Sequence, residues 1–117
     1  MNKKIILTLI LGIFIVACAP KIDLDSNEAK LATCLTEKGA TFFGAYWCGH
    51  CKAQKEMFGD AVNLLPYVEC SLPERAGQTQ VCKDEDIQSY PTWKVNGEVV
   101  TGTQSLGQLA TLSGCNE

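Results

Sequence analysis

The sequence predicts a small α/β domain in which a mixed four-stranded sheet is flanked by helices. The chain has 117 residues, which is enough for one domain but not for several. Helical and extended patterns alternate along it in the order α-β-α-β-(α)-β-β-α. A helix between the first two strands favours parallel pairing, and Asn96-Gly97 is typical of an antiparallel hairpin between the last two. The predicted sheet therefore combines both kinds of pairing.

The first 17 residues have the pattern of a secretory signal. Lys3 and Lys4 precede an apolar run over residues 5–16, which is shorter than the roughly 20 residues of a membrane-spanning helix. The run ends at Ile15-Val16-Ala17-Cys18, which resembles a bacterial lipoprotein signal. By that resemblance the signal is cut before Cys18, and Cys18 carries the lipid. Ordinary signal cleavage nearby and an uncleaved short anchor are the alternatives.

The charge balance limits the partners of the chain. It has 10 basic and 13 acidic side chains, a formal net charge of −3. Nucleic-acid binding needs a basic face, so this balance argues against nucleic acid as a partner. An acidic domain is not attracted to anionic lipid either, so the lipid on Cys18 must itself hold the protein at the membrane.

The N-terminal pattern divides the chain into three parts. We expect a lipoprotein signal peptide over residues 1–17, a lipidated cysteine and tether over residues 18–25, and the folded domain over residues 26–117. The lipid would enter the outer leaflet, so the exported domain would face an oxidising compartment. So short a tether keeps the domain near the bilayer, which suggests a membrane-embedded partner.

Local patterns in the first half of the domain predict two helices and two strands. Asp25-Ser26-Asn27-Glu28 resembles a helix cap and Gly39 a helix stop, so the first helix spans residues 26–38. Residues 41–47 are uncharged and rich in aromatic side chains, which is typical of a strand buried on both faces. After residues 48–51, apolar residues at helical spacing predict a helix to residue 63, and residues 67–70 form the second strand.

The second half contains the loop, the hairpin and the last helix. Pro73 and Gly77 indicate a loop over residues 71–80, and a short helix covers residues 79–84. Pro91 begins the third strand, which turns at Asn96-Gly97 into the fourth strand over residues 98–101. Ser105 caps a final helix that ends at Gly114. We expect the first and last helices to cover opposite faces of the sheet.

Cys48 and Cys51 are the candidate catalytic pair. Two cysteines at i and i+3 lie on one helix face, and the first meets the unpaired N–H groups and the positive end of the helix dipole. A thiolate is stabilised there, and the thiolate is the attacking species. Cys48 is therefore predicted to be the nucleophile and Cys51 to resolve the mixed disulfide. His50 favours the thiolate form, which makes the disulfide a stronger oxidant, and no cofactor is expected beyond that disulfide.

The residues around this pair resemble a known active site. Tyr46-Trp47-Cys48-Gly49-His50-Cys51-Lys52 resembles the active site of thioredoxin-fold proteins, particularly protein disulfide isomerase, and Tyr90-Pro91-Thr92 resembles their cis-proline loop. The resemblance implies a thioredoxin fold with a cis Pro91 beside the cysteines and with Tyr90 offering its backbone to an extended substrate. The implied substrate groove consists of Trp47, Gly49, Tyr90 and Pro91.

A closer resemblance covers the chain from about residue 31 to residue 114. The thioredoxin-like domain fused to bacterial and plant vitamin K epoxide reductase homologues is similar in five blocks: Gly44-Ala45-Tyr46-Trp47-Cys48, Gln54-Lys55-Glu56-Met57-Phe58-Gly59, Tyr67-Val68-Glu69-Cys70, Gln80-Val81-Cys82-Lys83-Asp84 and Ser89-Tyr90-Pro91-Thr92-Trp93. In that family the domain passes electrons from substrate thiols to a quinone-reducing membrane protein. The resemblance implies thiol-containing protein substrates and, because this chain carries no such membrane domain, a separate membrane-embedded electron acceptor.

Two positions depart from the thioredoxin pattern. Thioredoxins and disulfide isomerases have a buried acid six residues before the first active-site cysteine, where this chain has Phe42. Thioredoxins also have proline five residues after the second cysteine, where this chain has Glu56. No carboxylate at position 42 is available to deprotonate Cys51, which argues against fast thioredoxin-like reductase chemistry.

Four further cysteines follow the predicted lipidation site. The resemblance to the fused domains implies a structural disulfide between Cys70 and Cys82; a second redox relay is the alternative. Cys34 and Cys115 then remain. They either pair, which would make the exported count even, or stay as one buried thiol and one exposed tail thiol.

The sequence thus predicts an exported, membrane-anchored thiol–disulfide oxidoreductase that oxidises protein thiols. A reductase or isomerase in the same compartment is the first alternative. Copper or zinc delivery is an alternative of another class, because Cys48, His50 and Cys51 are soft ligands. We predict no resident metal site, since no second Cys-x-x-Cys completes a tetrahedral set.

Overall fold

Four α-helices and four strands lie within residues 21–115, the part of the chain that this computed structural model describes. The predicted signal peptide over residues 1–17 and the predicted lipidation site Cys18 lie outside the described residues. Between residues 21 and 115, no helix has the length and apolar character that crossing a bilayer requires.

The elements follow the predicted order. The helices are α1 (Asn27–Glu37), α2 (Gly49–Glu56), α3 (Gln80–Asp84) and α4 (Leu106–Ser113), and the strands are β1 (Thr41–Gly44), β2 (Tyr67–Glu69), β3 (Thr92–Val95) and β4 (Glu98–Thr101). Two short 3₁₀ helices span Gly59–Leu64 and Pro73–Arg75.

The sheet has the mixed pairing that the sequence predicts. Its strand order is β2-β1-β3-β4, with β1 parallel to β2 and antiparallel to β3, and with β3 antiparallel to β4. Asn96 and Gly97 both have positive φ angles in the turn of the last hairpin, as a tight hairpin turn requires. The arrangement is an α/β thioredoxin-like fold, and the predicted fold class is confirmed.

The two faces of the sheet carry separate clusters of buried side chains. Phe42 and Trp93 pair across β1 and β3, stack with their ring centres 4.7 Å apart, and share the larger cluster with residues of α1, α2 and α4. On the opposite face, Phe43 packs with the Cys70–Cys82 disulfide and Ile87. The disulfide, whose pairing the resemblance implied, therefore serves as the core of the smaller face.

The expectation that the first and last helices cover opposite faces is wrong. Ala29 and Leu35 of α1 and Leu109 of α4 are all buried in the cluster on the Trp93 face. Because both helices bury their apolar sides there, they lie together, and Cys34 and Cys115 form a disulfide between α1 and the residue that follows the α4 C-cap. The alternative of two free thiols is thereby overturned.

The predicted helix to residue 63 is interrupted. α2 ends at Glu56, and Gly59 takes a φ of +51°, a left-handed conformation that glycine adopts without steric cost. The chain continues as the 3₁₀ helix Gly59–Leu64. This break keeps Phe58 and Ala61 buried in the larger cluster, so the apolar spacing is real although the helix is not continuous.

Candidate active site

Cys48 lies at the junction of the sheet and α2. β1 ends at Gly44, and Cys48 is the N-cap of α2 with extended backbone angles (φ −82°, ψ 120°). Its thiol is half-buried and unpaired and donates to the backbone carbonyl of Tyr90 across 3.6 Å. The sulfur therefore stands at the end of the helix where backbone N–H groups lack partners.

Cys51 lies one turn further along α2, facing the core. It is also a free thiol, with 1% of its surface exposed. The pKa of the Cys51 thiol is raised to about 12, chiefly by burial and also by the sulfur of Cys48, while the Ala45 backbone and the Lys55 charge oppose the rise. Cys51 is consequently protonated at neutral pH, and it must lose a proton before it can attack a mixed disulfide.

Tyr90 and Pro91 form the wall opposite Cys48. The Tyr90–Pro91 peptide bond is cis, as the resemblance implied, and Pro91 is fully buried. The Tyr90 carbonyl accepts the hydrogen bond from the Cys48 thiol. The hydroxyl of Tyr90 accepts a hydrogen bond of 2.9 Å from Gln78, which ties the loop to the segment before α3.

The other predicted groove residues line the outer rim of the site. Trp47 is 40% exposed, donates its indole N–H to Ser71 at 2.8 Å and meets the Tyr90 ring edge-on. The guanidinium of Arg75 lies 4.8 Å from the centre of the Trp47 ring. Gly49 and His50 are exposed in the first turn of α2. The rim thus presents an aromatic surface beside the half-buried thiol.

His50 is placed where it can face solvent or a bound substrate. Its backbone carbonyl accepts a hydrogen bond from the Thr103 hydroxyl at 3.3 Å, which fixes the first turn of α2 against the segment before α4. The tuning role that the sequence predicts for the His50 imidazole stays a prediction.

Gln54 is a positioning residue that the sequence analysis missed. It is fully buried; its carbonyl accepts from the Trp93 indole at 3.0 Å and the Gln104 N–H at 2.8 Å, and its amide donates to the Gln104 carbonyl at 2.9 Å. These bonds fix α2 to β3 and to the approach to α4. Its position three residues after Cys51, on the buried side of the helix, was the available signal.

Tyr67 and Glu69 are two further residues near the site that the sequence did not predict to be there. They lie on β2, which pairs with β1 so that Tyr67 is opposite Phe42 and Glu69 is opposite Gly44. The Tyr67 hydroxyl donates to a Glu69 carboxylate oxygen at 3.0 Å. Burial raises the pKa of the Tyr67 phenol, and the Glu69 carboxylate raises it further, so Tyr67 is a neutral donor near pH 7.

Metal coordination gains no support from residues 21–115. In that range, no three histidine, cysteine, aspartate or glutamate side chains come together as a group that could hold a metal ion. Cys48, His50 and Cys51, the soft ligands of the metal-delivery alternative, are not found as such a group there.

Comparison with known proteins shows similarity to a curated oxidoreductase. No protein-family model matches the chain. The chain is 42% identical over 102 residues to the thiol-disulfide oxidoreductase LTO1 of Arabidopsis thaliana. The similar region covers 80% of this chain and 27% of that relative, so the chain spans less than a third of the relative's length.

Proposed function

We propose that this chain is an exported, membrane-anchored thiol–disulfide oxidoreductase that oxidises protein thiols. The fold and the similarity to a curated oxidoreductase support a thioredoxin-like family, and the proposal proceeds from that family. The arrangement of the two free cysteines within residues 21–115 is the observation that supports thiol–disulfide exchange. Cys48 is half-buried at the start of α2, whereas Cys51 is buried one turn behind it. One cysteine is thus partly accessible to another protein, and the other is enclosed by the fold.

Oxidation of a substrate proceeds in two exchanges. A substrate thiolate attacks Cys48 in the Cys48–Cys51 disulfide; a mixed disulfide forms, and Cys51 leaves with the electron pair and takes up a proton. A second substrate thiolate then attacks the substrate sulfur, and Cys48 leaves as a thiolate. The substrate gains a disulfide and the protein becomes a dithiol, which a disulfide of the electron acceptor re-oxidises by the reverse steps.

The groove beside Cys48 suits an extended polypeptide. The backbone carbonyl of Tyr90 lies 3.6 Å from the Cys48 sulfur, and the next residue, Pro91, is fully buried. Trp47 offers an exposed aromatic face next to this backbone. A substrate strand lying there would bring its cysteine to Cys48 without needing a deep pocket.

The membrane attachment rests on the N-terminal pattern. The apolar segment and Cys18 resemble a lipoprotein signal, and a lipid anchor would raise the effective concentration of the domain at a membrane partner of the vitamin K epoxide reductase type. Mass spectrometry of the membrane fraction should find a diacylated N-terminal Cys18. An unmodified mature protein in the soluble fraction would refute the anchor.

The reduction potential of the Cys48–Cys51 pair tests the direction of electron flow. We expect equilibration with glutathione buffers to give a potential in the oxidant range, about −120 to −180 mV. A value near the roughly −270 mV of thioredoxin would instead identify a reductase. The Cys51→Ala variant is the control, since it cannot form this disulfide.

A further inference from the structure

Cys51 gains or loses a proton in every cycle, yet it is buried. On β1, the ring of Phe42 stacks on Trp93 and meets Tyr67 edge-on at 5.0 Å. Phe42 can neither accept nor donate a proton. Another group must connect the Cys51 sulfur to a base.

Cys51 and Tyr67 both lie close to Gly44. A Cβ atom built on Gly44 would lie 3.1 Å from the Cys51 sulfur, 3.3 Å from the Tyr67 hydroxyl and 2.8 Å from a Tyr67 ring carbon. Any larger residue at position 44 would therefore occupy space that the thiol and the phenol both border. Glycine at this position leaves that space open, and the thiol and the phenol both border it at the end of β1.

The Tyr67 hydroxyl is already connected to a carboxylate. It donates to one oxygen of Glu69 at 3.0 Å, and the other oxygen accepts the N–H groups of Ser71 at 2.9 Å and Tyr46 at 3.2 Å. These two N–H bonds fix the carboxylate, while its other oxygen accepts the hydrogen bond from the Tyr67 hydroxyl. Glu69 is half-buried, so its carboxylate can exchange protons with water.

The Lys55 side chain faces the Tyr67 ring. The Lys55 ammonium lies 3.8 Å from the centre of the Tyr67 ring, on the helix that carries Cys51. The titratable groups that act on Cys51 are Cys48 and Lys55, at the start and in the body of α2. Tyr67 of β2 feels both Cys51 and Glu69. Of these, the Tyr67–Glu69 pair is joined by a hydrogen bond that leads away from the buried sulfur.

We propose that Tyr67 and Glu69 form the proton relay for Cys51 in the thiol–disulfide exchange proposed above, on which this inference rests. The Cys51 S–H passes its proton to the Tyr67 oxygen while the Tyr67 proton moves to the Glu69 carboxylate. The Cys51 thiolate then attacks Cys48; the Cys48–Cys51 bond forms, the bond from Cys48 to the partner sulfur breaks, and the partner leaves with the electron pair. In the opposite direction, the same path returns a proton to Cys51.

The raised pKa values are consistent with this path. Burial keeps both Cys51 and Tyr67 protonated near neutral pH, so the phenol acts as a neutral carrier and Glu69 as the base. Both residues also have structural contacts, because the Tyr67 ring packs against Phe42 and the Glu69 carboxylate accepts two backbone N–H groups. A purely structural role predicts that replacing either residue slows both steps of the exchange equally.

Reaction of the reduced chain with glutathione disulfide separates the two steps. Cys48 first forms a mixed disulfide in a step that depends on glutathione disulfide concentration, and Cys51 then releases the second glutathione in a first-order step. Rapid acid quench and mass spectrometry measure both steps from pH 6 to pH 10. The variants are Tyr67→Phe, which keeps the ring, and Glu69→Gln, which keeps an oxygen for the backbone N–H groups.

We expect both variants to accumulate the mixed disulfide. Positioned proton transfer contributes about 100-fold, so the second step should slow by roughly tenfold or more at pH 7 while the first keeps its rate. In both variants the second step should also rise more steeply with pH than in the unchanged chain, because hydroxide replaces the relay. The matched control Glu56→Gln removes one carboxylate from the end of α2 and should change neither step.

Other outcomes are equally informative. A second step of unchanged rate and pH slope in Tyr67→Phe overturns the relay, as does an equal slowing of both steps with an unchanged slope, which indicates only a disturbed fold. If Glu69→Gln does not fold, the pH profile of Tyr67→Phe decides alone. Failure of the first step in the unchanged chain would contradict the proposed function instead.

Discussion

Replacing Cys48 with serine should reduce catalysed thiol oxidation to the rate measured without protein. The serine hydroxyl neither forms a disulfide nor ionises near neutral pH, so the Cys48→Ser chain can neither be attacked nor attack. Cys51 cannot substitute for it, because only 1% of its surface is exposed. The measurement is multiple-turnover oxidation of a reduced two-cysteine peptide, with glutathione disulfide as the terminal oxidant.

The matched control is a chain that lacks the Cys70–Cys82 disulfide. Cys70 and Cys82 are fully buried and joined to each other, so a folded Cys70→Ala/Cys82→Ala chain should keep its rate of peptide oxidation. If that folded double variant loses the activity, the Cys70–Cys82 pair is a redox relay. Catalysis that survives Cys48→Ser would remove Cys48 from the mechanism.

Removing the Cys34–Cys115 disulfide should cause the largest loss of stability. The bond joins residues 81 positions apart, and closing a loop of that length stabilises the folded state by about 4 to 5 kcal/mol in the chain-entropy model. The shorter Cys70–Cys82 loop, with a separation of 12, should contribute about 3 kcal/mol. Urea unfolding of the Cys34→Ala/Cys115→Ala chain, compared with the unchanged oxidised chain, measures the difference.

The control for this comparison is the unchanged chain with its disulfides reduced, which should approach the stability of a chain lacking both bonds. A double variant as stable as the unchanged oxidised chain would mean that Cys34 and Cys115 are not bonded in the folded protein. The order of the two losses also matters, because chain entropy requires the longer loop to contribute more.

Local signals account for most of the fold. The Ser26 side chain caps α1 by accepting the N–H of Ala29, and Asn96-Gly97 turns the last hairpin, as their residue types predict. The parallel pairing of β1 and β2 follows from the helix between them. These features depend on neighbours in sequence, so they are visible without the structure.

Features that depend on tertiary packing were not predictable in the same way. The apolar spacing through residue 63 conceals the break at Gly59, because the 3₁₀ helix after it still buries Ala61 on the same face. The placement of α1 and α4 on one face is decided by which cluster receives Leu35 and Leu109. No local pattern carries that information.

In the candidate site, too, residues in local motifs were predictable from the sequence, and residues placed by tertiary packing were not. The motif identifies Cys48, Cys51 and Pro91, since their chemistry and spacing are local or repeated in a known family. The surroundings of Cys51 depend instead on the register that sets Glu69 opposite Gly44 and on the absence of a side chain at Gly44. Register is a tertiary property, so Tyr67 and Glu69 read as ordinary strand residues in the sequence.

The central claim is that Cys48 is the sulfur that exchanges bonds with other proteins while Cys51 resolves. The most direct measurement is to react the Cys51→Ala chain with a disulfide-containing protein substrate and map the trapped mixed disulfide by mass spectrometry. We expect the substrate cysteine to be bonded to Cys48. A trapped bond at any other cysteine, or no trapped bond while the folded chain retains a free Cys48 thiol, would contradict the claim.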